Sequence, residues 1–65
     1  MAMDFVTALN NKFESRKQML ISALAEGAAK DFAEYQYIVG QVRGLAAAQM
    51  ELNDLLQQLK ENDED

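Results

Sequence analysis

Whatever chemistry this sequence performs is done without its two most versatile side chains, because it contains neither histidine nor cysteine. The remaining candidates for nucleophile, acid or base are carboxylates, lysines, serines, a threonine and tyrosines. None falls in an arrangement that catalysis uses. There is no G-x-S-x-G elbow, no glycine-rich phosphate loop and no acidic pair joined to a histidine as in di-iron bundles. The absence of cysteine and histidine also excludes the usual zinc sites and any disulfide staple. The sequence therefore reads as non-enzymatic, with no cofactor, no metal and no small-molecule substrate.

Charge narrows the partners. Residues 1–30 carry four basic and three acidic side chains, a net +1, whereas residues 31–65 carry two basic and eight acidic, a net −6. Nucleic-acid binding needs Lys and Arg to neutralise phosphates, and adsorption to anionic lipid needs the same sign. Neither a nucleic acid nor a membrane is expected, so the partner is a protein. No stretch reaches the roughly 18 apolar residues of a membrane span. The opening Met1-Ala2-Met3-Asp4 lacks the basic and apolar regions of a signal peptide. A soluble protein of the cytoplasm is expected.

The elements that must position any working surface are helices. Proline is absent, and Ala, Leu, Gln, Glu, Lys and Met dominate. Phe5, Leu9, Phe13, Leu20 and Leu24 recur at multiples of three and four, with Val6, Met19 and Ala23 beside them. This spacing predicts one helix over about 4–26, with Asp4 as its N-cap. Gly27 is placed to close it in the left-handed conformation. Asp31 followed by Glu34 reads as a capping box opening a second helix over about 31–60, and the short turn at 27–30 makes the two antiparallel neighbours. One long helix kinked near Ala28 and Ala29 is the rival. The acidic tail 61–65 reads as frayed.

In the second helix, Tyr35, Ile38, Val42, Leu45, Gln49, Leu52, Leu56 and Leu59 alternate at spacings of three and four. Such sustained heptads predict coiled-coil packing, with the single polar residue Gln49 either setting the register or lying at the edge of a short hairpin core. The fold class is thus all-α, an antiparallel two-helix hairpin with a coiled-coil-like second helix. Because the second helix is the longer, the hairpin is expected to leave Leu55, Leu56 and Leu59 without a partner in the same chain. Sixty-five residues bury little, and with disulfides and zinc excluded, self-association is the staple that remains. A homo-oligomer is expected.

Three further groups have two readings each. Gly40 and Gly44, with Ala47 and Ala48, form a smooth face that either admits another backbone closely or is filled over by Phe32, Tyr37 or the first helix. Lys12, Arg16 and Lys17 cluster either as a docking patch or, as favoured, as an ordinary solvated face. Arg43 either lays its stem over the seam or anchors an interface. The aromatics Phe5, Phe13, Phe32, Tyr35 and Tyr37 are expected mostly in the core, with Met19 and Met50 filling gaps.

The stretch Lys30-Asp31-Phe32-Ala33-Glu34-Tyr35-Gln36-Tyr37-Ile38-Val39-Gly40-Gln41-Val42-Arg43-Gly44-Leu45 resembles short helical proteins of tailed bacteriophages. An acidic-aromatic opening leads there into an aliphatic-Val-Gly step and a second Gly-Leu. The Phe-x-x-Ala-Leu and Lys-x-x-x-Arg-Lys pattern between Phe5 and Lys17 is similar too. Such proteins are encoded among head, packaging and tail genes, so the resemblance implies a virion or assembly role. The expected function is structural, through helix–helix packing, in the host cell or on the particle. The alternative is a small acidic inhibitor or adaptor that binds a host protein. The expected interface comprises Tyr35, Ile38, Gly40, Val42, Arg43, Gly44, Leu45, Leu52, Leu55, Leu56 and Leu59.

Overall fold

Glycine at position 27 decides the topology. In the computed structural model, which describes residues 2–63 and the side-chain surroundings of residues 4–61, Gly27 has φ of 85°. That left-handed value suits glycine because it has no Cβ to clash. The turn around it is a Schellman closure: the Ala28 amide donates to the Ala23 carbonyl at 2.9 Å and the Gly27 amide to that of Leu24 at 3.1 Å. Helix α1 (Ala2–Ala25) ends there and helix α2 (Phe32–Asp63) follows. The chain is an all-helical hairpin, and the single kinked helix is ruled out.

Asp31 opens α2 as its N-cap. Its Oδ1 accepts from the Glu34 amide at 2.8 Å, and Tyr35 N–H donates to the Asp31 carbonyl at 3.1 Å. Glu34 reaches back as in a capping box, but one residue further, accepting from the Lys30 amide at 2.9 Å. Each helix runs past its expected bound at the end away from the turn and falls one residue short of it at the turn. Because α1 begins at Ala2, Asp4 lies in its first turn, where its charge favours the helix dipole, rather than at the N-cap. At the other end α2 continues through Asp63, so Glu61, Asn62 and Asp63 of the expected frayed tail are helical. Glu64 and Asp65 lie outside the described residues.

The register follows from the contact of Glu14 with Gln49. In an antiparallel pair, residues whose numbers total about 63, as 14 and 49 do, lie at one height. Ala25 therefore sits level with about residue 38, and the first turn and a half of α2 projects past the end of α1. The overhang is mainly at the turn and not, as expected, at the C-terminal leucines. The reason is the six-residue connection from Glu26 to Asp31. It advances in irregular form, at up to about 3.3 Å per residue against 1.5 Å in a helix, so α2 starts well beyond the level at which α1 stops. Leu56 and Leu59 lie alongside α1 and are half-buried, while Leu55 is 43% exposed.

The seam of α2 is the expected heptad run, half-buried at Ile38, Val42, Leu45, Gln49, Leu52, Leu56 and Leu59. The seam of α1 keeps Phe13, Leu20 and Leu24 of the expected stripe and takes in Val6 from beside it, but Asn10 and Lys17 join it and Phe5 does not. It runs through Val6, Asn10, Phe13, Lys17, Leu20 and Leu24, at alternating spacings of four and three. Phe5 lies beside it, 69% exposed, while Val6, at 7%, is the one buried hydrophobic among the described residues. The aromatics are likewise mostly outside: Phe32 and Tyr37 are each 71% exposed, and only Phe13 is half-buried. Phe32 and Tyr35 stack on each other at 6.2 Å on the projecting turn, which α1 does not reach. Met19 and Met50 fill no gap, at 65% and 68% exposed. A two-helix seam is one residue deep, so everything off its axis meets solvent.

Candidate functional site

The centre of the seam is polar. Lys17 enters from α1 with its side chain 20% exposed, and Gln49 meets it from α2. Lys17 Nζ donates to Gln49 Oε1 at 2.8 Å, and Gln49 Nε2 donates to Glu14 Oε1 at 2.9 Å. Lys17 also pairs with Glu14 at 3.2 Å, and Gln18 Nε2 donates to the other Glu14 oxygen at 2.8 Å. The Gln49 hydrogen bond, then those of Gln18 and Lys17, hold the Glu14 carboxyl down to about 2, from an ordinary 4.5. Lys17 is thus a seam residue, not part of a solvated basic face, and the half-buried Gln49 lies on the seam opposite it. Glu14 and Lys17 follow each other by one helical turn, and Gln49 reaches both only because α2 passes at that height. Both ends of the Gln49 amide are satisfied only in this register, the kind of polar contact that aligns paired helices.

This network aligns the two helices, and its Glu14 and Gln18 also border a shallow groove on α1. Shallow grooves lie on two sides of the hairpin among the described residues. One lies on the outer side of α1 around Ser15, Met19 and Ser22. The other runs between the helices, floored by Leu9, Phe13, Ala48, Leu52 and Leu55 and edged by Glu51 and Asp54. Among the described residues no group of three or more carboxylates converges as a metal site would require, and no helix is long and apolar enough to cross a membrane.

The expected interface residues divide in two. Ile38, Val42, Leu45, Leu52, Leu56 and Leu59 face α1, so the heptad seam is used inside the hairpin. Tyr35, Gly40, Arg43, Gly44 and Leu55 are exposed. A Cβ built on Gly40 or on Gly44 would meet nothing within 4 Å, so neither Phe32, Tyr37 nor α1 fills over them. Arg43 is exposed.

Two features escaped the sequence reading. One is Asn10, whose Oδ1 is buried without a hydrogen-bond partner. The other is the flank of α1 that carries Phe5 and Met19. Their spacing of fourteen residues, with Leu9, Lys12 and Arg16 between them at helical intervals, was the available signal.

No protein-family model matches the chain, and neither any curated protein nor any solved structure is similar enough to match it. The geometry of its own residues is what bears on its role.

Proposed function

We propose that this chain is a non-enzymatic interaction protein that self-associates and serves as a structural or assembly component through helix–helix packing. The supporting observation is the thinness of its core. Among the described residues Val6 alone is buried, and no side chain is fully enclosed. The Cα radius of gyration is 15.3 Å, against about 11 Å for a compact chain of this length. A domain so open gains most by covering its flanks with another chain. The resemblance to short tailed-phage proteins supplies the setting: a virion or morphogenesis component, in the host cell or on the particle.

A second reading rests on charge. With −6 on residues 31–65 and an exposed Phe32–Tyr35 stack at the projecting turn, α2 also suits a small inhibitor or adaptor that docks on a host protein. Absolute solution mass by light scattering, over a tenfold or wider concentration range, separates the two. A stable multiple of 7.3 kDa is the expected result. A monomer throughout would refute self-association and leave the adaptor reading.

A further inference from the structure

The groove between the helices belongs to one continuous flank of the hairpin. On α1 that flank carries Phe5, Leu9, Lys12, Arg16 and Met19, each three or four residues from the next. On α2 it carries Tyr37, Gly44, Ala48, Glu51 and Leu55. Four of the large exposed apolar side chains, Phe5, Met19, Tyr37 and Leu55, lie on it. The two sides of this flank differ in sign: its charged residues on α1 are the exposed Lys12 and Arg16, whereas Glu51 and Asp54 line the groove on the α2 side.

Resting on the self-association reading above, we infer that a second copy of this chain covers this flank, related by a two-fold axis parallel to the helices, to form a four-helix bundle. That axis lays α1 of one copy on α2 of the other at the heights already matched within each hairpin. Lys12 then faces Glu51 of the other copy, and Met19 faces Gly44. Met19 is a large apolar side chain 65% exposed, and Gly44 is the open position opposite, with nothing within 4 Å of a built Cβ. The other two-fold, running across the groove, would lay α1 on α1 and α2 on α2. It would set basic edge on basic edge and acidic on acidic, which is unfavourable for charges in contact.

The area agrees. The chain exposes 5139 Å², whereas a compact monomer of 7.3 kDa exposes about 4,200 Å². The excess of about 1,000 Å² matches the roughly 800 Å² per partner of a standard stable interface. A closed two-fold contact is also the commonest solution for identical chains.

The absence of native cysteine permits a direct test. Met19→Cys and Gly44→Cys chains are prepared separately, then oxidised alone and as a mixture. The expected result is a disulfide-linked pair from the mixture, with neither variant cross-linking to itself. Self-cross-linking of either variant would overturn the proposed axis. A dimeric mass without any cross-link would overturn the proposed flank while leaving self-association standing. A monomeric mass for the unsubstituted chain would overturn both. Charge reversal checks the same contact without cysteine. Lys12→Glu and Glu51→Lys should each weaken the dimer roughly tenfold, and the double variant should restore it. Failure of the double variant to recover would refute the pairing.

Discussion

Replacing Gln49 with alanine removes the amide that joins the two helices at their centre. Two hydrogen bonds are lost, the one it accepts from Lys17 at 2.8 Å and the one it donates to Glu14 at 2.9 Å. Hydrogen bonds to charged groups contribute about 1.5–3 kcal/mol each when shielded from water. Here shielding is partial, since the Lys17 side chain is 20% exposed and that of Glu14 is 47% exposed, so water replaces much of what is lost. A net destabilisation of roughly 1–2 kcal/mol follows for Gln49→Ala. For a chain of this size that lowers Tm by roughly 5–15 °C. Gln49→Leu makes the companion measurement. It keeps the volume and completes the apolar heptad, so its stability should lie within about 1 kcal/mol of the parent. Urea and thermal unfolding followed by circular dichroism, at one fixed chain concentration, read both variants. If Gln49→Ala unfolds at the parent midpoint, the polar contact contributes nothing to stability and the argument from its geometry is wrong.

Three other outcomes are expected. Asn10→Leu should stabilise the hairpin by about 1 kcal/mol or more, because it removes a buried carbonyl with no partner and adds apolar surface to the seam; an unchanged or lower urea midpoint would contradict this. Gly27→Ala should destabilise by roughly 1–2 kcal/mol, since φ of 85° is strained for any residue with a Cβ even though the space there is open; thermal unfolding checks it. The Glu14 carboxyl is lowered in the folded chain, so its contribution is present above the ordinary 4.5 and is lost as pH falls toward 2. Glu14→Gln should therefore flatten the dependence of stability on pH within that window, and a urea midpoint that still falls as steeply there would contradict the assignment.

Much of the architecture was legible in single residues. A break was readable at Gly27 because only glycine takes the left-handed conformation without strain, and a restart at Asp31 because an oxygen three residues ahead of Glu34 meets a free amide. The seam of α2 was readable because its apolar residues repeat without interruption except at Gln49. The α1 face was readable only in part, at Val6, Phe13, Leu20 and Leu24. Its seam contains Asn10 and Lys17, while Phe5 and Met19, which look equally suited to a core, lie off it. Periodicity locates a stripe to within about one residue's rotation, some 100°, and two adjacent stripes of α1 both carry apolar side chains.

The amino-acid sequence by itself determined that two helices form, where they separate, and which face of α2 is turned inward. Those outcomes depend on backbone preferences and on spacings within one helix, which are local. The tertiary structure decided which face of α1 meets α2, at what height, and which end overhangs. These depend on the path of the six-residue connection and on where α2 comes to lie. A lysine became a seam residue because a glutamine thirty-two positions away arrived opposite it. Three aromatics became surface because α1 stops short of the turn they occupy.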